Sequence, residues 1–227
     1  MRAWSSQVGV LGGTGPAGRG LATRMAAAGL EVIVGSREPG RAEEAANAVR
    51  EAVAGDAAVR GATNAEAATA DLVVVATPWD GAVATAHDLQ DALAGKVVIS
   101  MVNAIARVGR EFQALIPVRG SLAATLQAEL PRSHVTAAFH HLPAGDLLDL
   151  SRSLSADVLV CAADEAAAAT TIGLVNRIEG LRGLHAGSLA SANAVEALTA
   201  VLLNVNRRYK AHASIRLSGL GHRNSPR

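Results

Sequence analysis

Cysteine, aromatic side chains and net charge are all scarce in this sequence, and each shortage argues against a class of protein. The single cysteine, Cys161, has no partner for a disulfide or for a cysteine-based metal site. Aromatic residues make up 2% of the chain, which leaves few rings for stacking on nucleic-acid bases. The net charge is only +1, so an extended basic surface is not expected. We therefore expect neither a metal centre nor a nucleic-acid partner.

Long hydrophobic runs are missing as well. No apolar stretch reaches the roughly 18 residues that a membrane span requires. Residues 1–7 lead into the first apolar run without the hydrophobic region of a signal peptide. Together with the lack of disulfides, these features predict a protein of the reducing cytoplasm that is not inserted in a membrane.

Short apolar runs that alternate with amphipathic stretches dominate the first hundred residues. Continuous apolar strands are typical of a parallel sheet that is covered by helices on both faces. The pattern therefore predicts an α/β protein with a Rossmann-like, doubly wound parallel sheet. The predicted strands are Gln7–Leu11, Glu31–Val34, Leu72–Ala76 and Lys96–Ser100, and the predicted helices are Pro16–Ala28, Pro39–Ala54 and Trp79–Ala94.

The alternation becomes less regular after Ser100. Residues 103–118 have no clear period and are predicted to form a loop. Further on we predict strands at Val135–Phe139 and Asp157–Cys161, a strand-like link at Gly180–His185, and helices at Ser121–Leu130, Asp164–Arg177 and Leu189–His212. We place a domain boundary near Gly145, with a Rossmann domain in 1–145 and a smaller, mainly helical domain in 146–227.

A glycine-rich turn follows the first predicted strand. The pattern Gly13-x-Gly15-x-x-Gly18 lies between a strand and a helix, which is the context of a dinucleotide site. We expect Gly13 to allow the tight turn, Gly15 to let a pyrophosphate approach, and Gly18 to let the helix pack closely on the sheet. Free N–H groups at the helix start would bind phosphate; the alternative is an ordinary glycine turn. The predicted phosphate-binding residues are Gly13, Thr14, Gly15, Pro16, Ala17 and Gly18.

The end of the second strand predicts which dinucleotide is bound. An NAD site usually has a carboxylate here, which accepts from the ribose 2′-hydroxyl. This chain instead has Ser36 and Arg37, with Arg41 one helical turn later. A hydroxyl donor and two guanidinium groups suit a 2′-phosphate, so the sequence favours NADP. Glu38 has the wrong charge and is expected to point to solvent. The alternative is that both arginines are solvated surface cations.

Two further strand ends are predicted to line the ligand crevice. In an open α/β sheet, ligands bind outside the carboxyl ends of the strands. Thr77 and Pro78 follow the third predicted strand and should lie beside the nicotinamide half of the dinucleotide. Asn103 follows the fourth predicted strand and should line the same crevice.

With these segments in order, the chain resembles the family of NADPH-dependent F420 reductases (F420H2:NADP oxidoreductases). The two most particular segments are Ala-Phe-His-His at 138–141 and Asn-Arg-Arg-Tyr-Lys at 206–210. The resemblance covers most of the chain. The matching segments are Gly12–Ala22, Val34–Arg37, Thr77–Trp79, Gly95–Ser100, Ala137–Ala144, Asp157–Cys161, Val195–Thr199 and Leu203–Lys210.

The resemblance implies a reaction and a set of site residues. Hydride would pass directly between C4 of the nicotinamide and C5 of the deazaflavin coenzyme F420, which docks over the nicotinamide. By position, Thr14, Ser36, Arg37 and Arg41 would bind the NADP phosphates, and Pro78 would lie on the nicotinamide side. His140 and Leu142 would lie next to the stacked rings. For His140 the alternative is a purely structural strand-end residue.

The last helix carries two further implications of the resemblance. Arg207, Arg208 and Lys210 would suit the phosphate and glutamate tail of F420, although they also suit the negative end of a helix dipole. Leu198, Leu202 and Val205 suit a buried face or, as the family implies, contact with a second subunit of a homodimer.

Two other functions remain open at this stage. Segments 103–112 and 145–149 match the family pattern less well, which leaves room for an NADPH-dependent Rossmann reductase with another acceptor. A non-catalytic protein that senses NADP is the second alternative. It would bind NADPH without turning over any acceptor.

Overall fold

The computed structural model describes residues 7–53 and 55–220 and builds them around one eight-stranded sheet and a separate hairpin. The strands are β1 (Gln7–Leu11), β2 (Glu31–Ser36), β3 (Val59–Thr63), β4 (Leu72–Val75), β5 (Val97–Ser100), β6 (Ile105–Val108), β7 (Glu111–Ala114), β8 (His134–Ala137), β9 (Ala156–Ala162) and β10 (Leu181–His185). The helices are α1 (Pro16–Ala27), α2 (Pro39–Val53), α3 (Asn64–Ala67), α4 (Trp79–Asp88), α5 (Gln90–Leu93), α6 (Leu122–Glu129), α7 (Ala144–Leu148), α8 (Glu165–Arg177) and α9 (Ala192–Tyr209), with a 3-10 turn at Leu189–Ser191.

The sheet has the strand order β10-β9-β8-β5-β4-β1-β2-β3 and is parallel except where β9 runs antiparallel to β8. Apolar side chains fill the space on both faces, in two core clusters that lie under different helices. The predicted Rossmann-like, mostly parallel sheet is therefore confirmed. After β3 the chain crosses to the other side of β1 and continues with β4. This reversal leaves a crevice at the carboxyl ends of β1 and β4, where α/β proteins bind ligands.

Several elements differ from the sequence prediction. The helix predicted at Trp79–Ala94 is divided into α4 and α5, and α7 was not predicted. Two further differences have a clear physical cause. The loop predicted for 103–118 is wrong in part, because β6 and β7 form an antiparallel hairpin. Gly109 turns the hairpin with φ +58°. Asn204 of α9 holds it in place, since its side-chain amide accepts from the N–H of Phe112 and donates to the carbonyl of Phe112, both at 2.8 Å. Because a distant helix fixes the hairpin, the sequence of residues 103–118 has only a weak strand pattern of its own.

The second difference is the segment 59–67, which contains β3 and α3 and was not predicted. Strand β3 lies at the edge of the sheet and has little apolar sequence, so its pattern resembles a loop. One signal was available: Thr63 and Glu66 form a capping box, in which each side chain bonds the backbone N–H of the other. The Thr-x-x-Glu spacing identifies the start of α3.

The sheet continues across the predicted boundary near Gly145. Strands β9 and β10 follow that boundary, yet both belong to the main sheet, since β9 pairs with β8 and β10 pairs with β9. Pairing of β9 covers an edge of β8 that would otherwise leave unpaired backbone groups. The region after Gly145 is still largely helical through α7, α8 and α9, but its division from 1–145 stays a prediction and does not coincide with a break in the sheet.

Arg24 ties the N-terminal half of the chain to α7. Its side chain is buried, and Nε and Nη2 of its guanidinium share their three hydrogens among four backbone carbonyls at the end of α7 and beyond: Asp146, Leu147, Asp149 and Arg152, at 2.5–3.2 Å. Gly20, one turn earlier on α1, lets the helices meet, because a Cβ there would lie 2.6 Å from Cβ of Leu147. Helix α1 therefore sets the position of α7.

We predict that Arg24→Leu lowers the free energy of unfolding by about 3 kcal/mol, because one buried and three partly buried carbonyls lose a charged donor. Urea denaturation would measure the loss. Arg132→Leu is the control, since Arg132 makes an exposed ion pair with Asp91 and such pairs contribute about 1 kcal/mol or less. Equal losses in the two variants would contradict this role of Arg24.

Candidate functional site

A cleft of about 940 Å3 opens at the carboxyl ends of β1, β2 and β4. Its wall includes most of the residues that the sequence predicted for a dinucleotide: Thr14, Gly15, Pro16, Ala17, Gly18, Ser36, Arg37, Arg41, Thr77 and Pro78. The glycine turn, the end of β2 and the end of β4 are thus brought together as predicted. Gly13, Asn103, His140 and Leu142 are not part of this wall.

The tight turn after β1 depends on Gly12, not on Gly13 as predicted. Gly12 has φ +69°, a left-handed conformation that disfavours any other residue, and a Cβ there would lie 2.7 Å from Thr77 Cγ2. Gly13 serves close packing instead. Its N–H donates to the carbonyl of Gly35 at 2.9 Å, and a Cβ would meet Val10 and Val34 at 3.0 Å.

Gly18 allows the close packing that the sequence predicted, and Gly15 leaves open the space that its predicted role requires. A Cβ on Gly18 would lie 3.0 Å from both Ala76 Cβ and Gly13 Cα, so the residue permits the close approach of α1 to the sheet. Gly15 is the N-cap of α1 and contributes no capping side chain. A Cβ on Gly15 would meet nothing nearer than the Gly12 carbonyl oxygen at 3.8 Å. The first N–H groups of α1 therefore face open space, where a phosphate fits.

The end of β2 presents donors to the same cleft. The Ser36 hydroxyl oxygen accepts from the N–H of Glu38 at 3.2 Å, which leaves the hydroxyl hydrogen free for a ligand. Arg37 is exposed. Nη1 of Arg41 lies 3.6 Å from Oε1 of Glu38, and the two side chains are 62% and 67% exposed. Such an exposed ion pair is weak, so Arg41 can turn to a phosphate. Glu38 lines the cleft, and 67% of its side chain is exposed, as expected for a side chain that points to solvent.

Asn64 is a cleft residue that sequence reasoning missed. It is the first residue of α3, and its Oδ1 accepts from the N–H of Gly12 at 3.1 Å. The contact fastens the glycine turn to β3 and α3. The capping box at Thr63 was the available signal, since it places the next residue at the carboxyl edge of the sheet. Residues of α4 that also line the cleft without having been predicted are Asp80, Gly81, Ala84, Thr85 and Asp88.

His140 and Leu142 follow β8 and are buried, with 3% and 8% of their surface exposed. Asn103, after β5, donates from Nδ2 to the carbonyl of His140 at 3.0 Å. Strands β5 and β8 are neighbours, so these three predicted residues lie together at the carboxyl edge of the sheet. They form a second group, beside the cleft and not within its wall.

Several buried polar atoms at this edge make no hydrogen bond within the part of the chain that the structure describes. They are Thr77 Oγ1, Ser100 Oγ, Asn103 Oδ1 and both ring nitrogens of His140. A buried polar atom without a partner is costly, and ligand binding is one way to satisfy it.

Burial keeps both histidines neutral. It lowers the pKa of His140 to about 3, with a smaller contribution from His141, and it lowers the pKa of His141 to about 4. Nε2 of His141 accepts from the N–H of Leu159 at 3.4 Å. Since a neutral imidazole has one donor and one acceptor nitrogen, His140 can bond a ligand in either sense but carries no charge at pH 7.

Cys161 is an unreactive residue of the core. It is fully buried and free, and burial raises the pKa of its thiol to about 11. Within residues 7–53 and 55–220 no group of three histidine, cysteine or acidic side chains is arranged to hold a metal ion. Over the same residues no helix is both long and apolar enough to cross a bilayer.

Comparison with known proteins identifies relatives that span most of the chain. Residues 7–104 match the family model described as NADP oxidoreductase coenzyme F420-dependent. The F420-dependent NADP reductase of Methanocaldococcus jannaschii is 35% identical over 94% of this chain and 99% of its own. That of Methanothermobacter thermautotrophicus is 36% identical over 94% and 95%. A solved structure from Arthrobacter sp. FB24, described as a candidate F420-dependent NADP reductase, has a TM-score of 0.78 at 24% identity over 94% of this chain and all of that one.

We predict that the two buried histidines make the protein sensitive to acid. In the unfolded chain each imidazole has a pKa near 6.5. Below about pH 6.5 the imidazoles are therefore protonated in the unfolded state but stay neutral in the folded state. The histidines therefore have no effect on the free energy of unfolding above that pH, and they lower it increasingly as the pH falls. At pH 5, about 1.5 units lower, each should cost about 2 kcal/mol of unfolding free energy.

Urea denaturation between pH 7.5 and pH 5 would measure this loss. His140→Asn should remove about half of it. His87→Asn is the control, because His87 is exposed and Glu129 raises its pKa. The explanation fails if His140→Asn loses as much stability as the unmodified protein over this range.

Proposed function

Because the chain belongs to the F420-dependent NADP reductase family, we propose that it is an oxidoreductase that transfers hydride between NADPH and the deazaflavin coenzyme F420. The single observation that carries the proposal is the cleft itself. It joins an open helix N-terminus, suited to a pyrophosphate, to the hydroxyl and guanidinium groups at the end of β2, suited to a 2′-phosphate.

Each predicted NADP contact has a chemical reason in this arrangement. The N–H groups of Ala17 and Gly18 at the start of α1, and the Thr14 hydroxyl, would hold the pyrophosphate. Ser36, Arg37 and Arg41 would hold the 2′-phosphate. Pro78 and Thr77 would flank the nicotinamide, whose polar groups can satisfy the buried Thr77 Oγ1.

The second group of residues would receive the deazaflavin. His140 and Asn103 offer unpartnered polar atoms to the ring edge, and Leu142 would set the spacing of the two rings by contact. All three are largely covered in this structure, so we expect ring docking to uncover them. When both coenzymes are bound, NADPH supplies a hydride at C4 of its nicotinamide and the deazaflavin accepts it at C5. The protein aligns the rings and excludes water.

A homodimer in the cytoplasm completes the proposal. Helix α9 leaves Val201 and Tyr209 exposed, at 55% and 72%, next to Leu198 and Val205, and a second copy of the chain would cover this apolar face. Arg207 and Arg208 lie beside it, facing the groove between α9 and the hairpin. The free thiol of Cys161 suits a reducing compartment.

A spectrophotometric assay tests the proposed reaction. Purified protein is mixed with NADPH and oxidised F420, and the visible absorbance of the deazaflavin is followed, with NADH and FMN as controls. We expect bleaching that requires NADPH and F420 together. If NADPH binds but F420 stays oxidised, the protein is a reductase with another acceptor or an NADP sensor, and the proposal is wrong.

We predict that Arg37→Ala weakens NADPH binding by roughly 10- to 100-fold, the effect of losing one charge-assisted phosphate contact. NADH binding should be unchanged because NADH has no 2′-phosphate. Titration of protein fluorescence or calorimetry would give both dissociation constants. Arg60→Ala serves as the control, since Arg60 is exposed and outside the cleft wall. An equal loss for NADPH and NADH would refute the phosphate contact.

A further inference from the structure

The backbone carbonyl of His140 is held by side chains from two separate parts of the chain. Thr199 of α9 donates its hydroxyl to this oxygen at 3.1 Å, and Asn103 donates its amide at 3.0 Å. A carbonyl oxygen has two lone pairs, so these two donors fill its capacity. The imidazole of His140, in contrast, makes no hydrogen bond within the described residues. The position of His140 is thus set through its backbone and not through its ring.

The segment around His140 needs such support. Phe139, one residue earlier, has φ +67°, a left-handed conformation that is strained for a bulky side chain and persists only where the surroundings impose it. Its carbonyl accepts from the N–H of Leu142 at 3.4 Å, a long contact that restrains the turn weakly. Phe139 and Leu142 are part of the buried core, so a change in this turn would move both flanking side chains.

Helix α9 is itself fixed against the sheet layer, which gives the Thr199 hydroxyl a defined place. Glu196, one turn before Thr199, is buried, and its carboxylate accepts from the N–H groups of Leu122 and Ala123 at 2.8 and 3.0 Å. These are the first N–H groups of α6, where a carboxylate also interacts favourably with the helix dipole. Glu196 and Thr199 lie on one face of α9. Glu196 bonds the backbone at the start of α6, and Thr199 bonds the backbone of the turn after β8.

We propose that Thr199 is a positioning residue for hydride transfer. Together with Asn103, it fixes the peptide at His140 and so orients the His140 ring and Leu142 toward the second coenzyme. This inference rests on the proposed function for its catalytic consequence. Its structural part, that the Thr199 hydroxyl restrains the turn at 139–142, is independent of any coenzyme.

The structural part is tested by hydrogen exchange on the ligand-free protein. Thr199→Val keeps the side-chain shape and removes the donor, whereas Thr199→Ser keeps the donor. The control is Thr125→Val, which also removes a hydroxyl that donates to a backbone carbonyl, but one four residues earlier in the chain, that of Ser121 at 2.8 Å. We expect amide exchange in 139–148 to become roughly 2- to 10-fold faster in Thr199→Val only, the effect of one hydrogen bond. Unchanged exchange in this segment would overturn the proposal.

The catalytic part is tested by steady-state kinetics on the same variants. Thr199→Val should lower kcat/KM for F420 by roughly 2- to 10-fold, with the dissociation constant of NADPH unchanged, and Thr199→Ser should restore it. A parallel loss for both coenzymes, or no rescue by serine, would show that Thr199 has only a general structural role. Failure of the unmodified protein to bleach F420 would refute the proposed function instead, and the exchange measurement would still decide whether Thr199 restrains the turn.

Discussion

The close approach of α1 to the carboxyl ends of β1 and β4 is the constraint on which the rest of the site depends. Gly18 brings the helix so near that a single Cβ would lie 3.0 Å from Ala76, and Gly12 makes the turn in a conformation that other residues avoid. This packing points the start of α1 into the crevice where the strand order reverses. The N–H groups at the start of α1, the donors at the end of β2 and the residues after β4 then line the same cleft.

A second set of contacts joins the two halves of the chain around that crevice. Arg24 holds α7 to α1 through backbone carbonyls, and Thr199 holds the turn before α7 to α9. The segment from Phe139 to Leu148 is therefore fixed from both sides. Its burial keeps the histidines uncharged, which suits a site that aligns two flat rings and does not supply a proton from a charged acid.

The sequence was informative where local chemistry decides the structure. Each predicted feature here depends on neighbouring residues: the apolar strands, the glycine turn, and Ser36-Arg37 at the end of β2 where NAD sites usually have a carboxylate. The structure brings the glycine turn and the end of β2 into one cleft. The sequence was uninformative where distant contacts decide. Asn204 positions the β6–β7 hairpin. Strand β9 joins the sheet by covering β8, and β10 joins it by pairing with β9. Gly12, not Gly13, makes the tight turn. Asn64 could be predicted as a site residue only after β3 was recognised as a strand, and β3 lacks an apolar pattern.

We propose that hydride passes directly between two rings held at this edge of the sheet. Transfer of isotope tests it: NADPH carrying deuterium at C4, in each of its two stereochemical positions, is mixed with protein and F420 in ordinary water, and the reduced deazaflavin is analysed by mass spectrometry. We predict that one labelled position delivers its deuterium to the deazaflavin in full, and that the other delivers none. Loss of the label to solvent from both positions would contradict direct transfer.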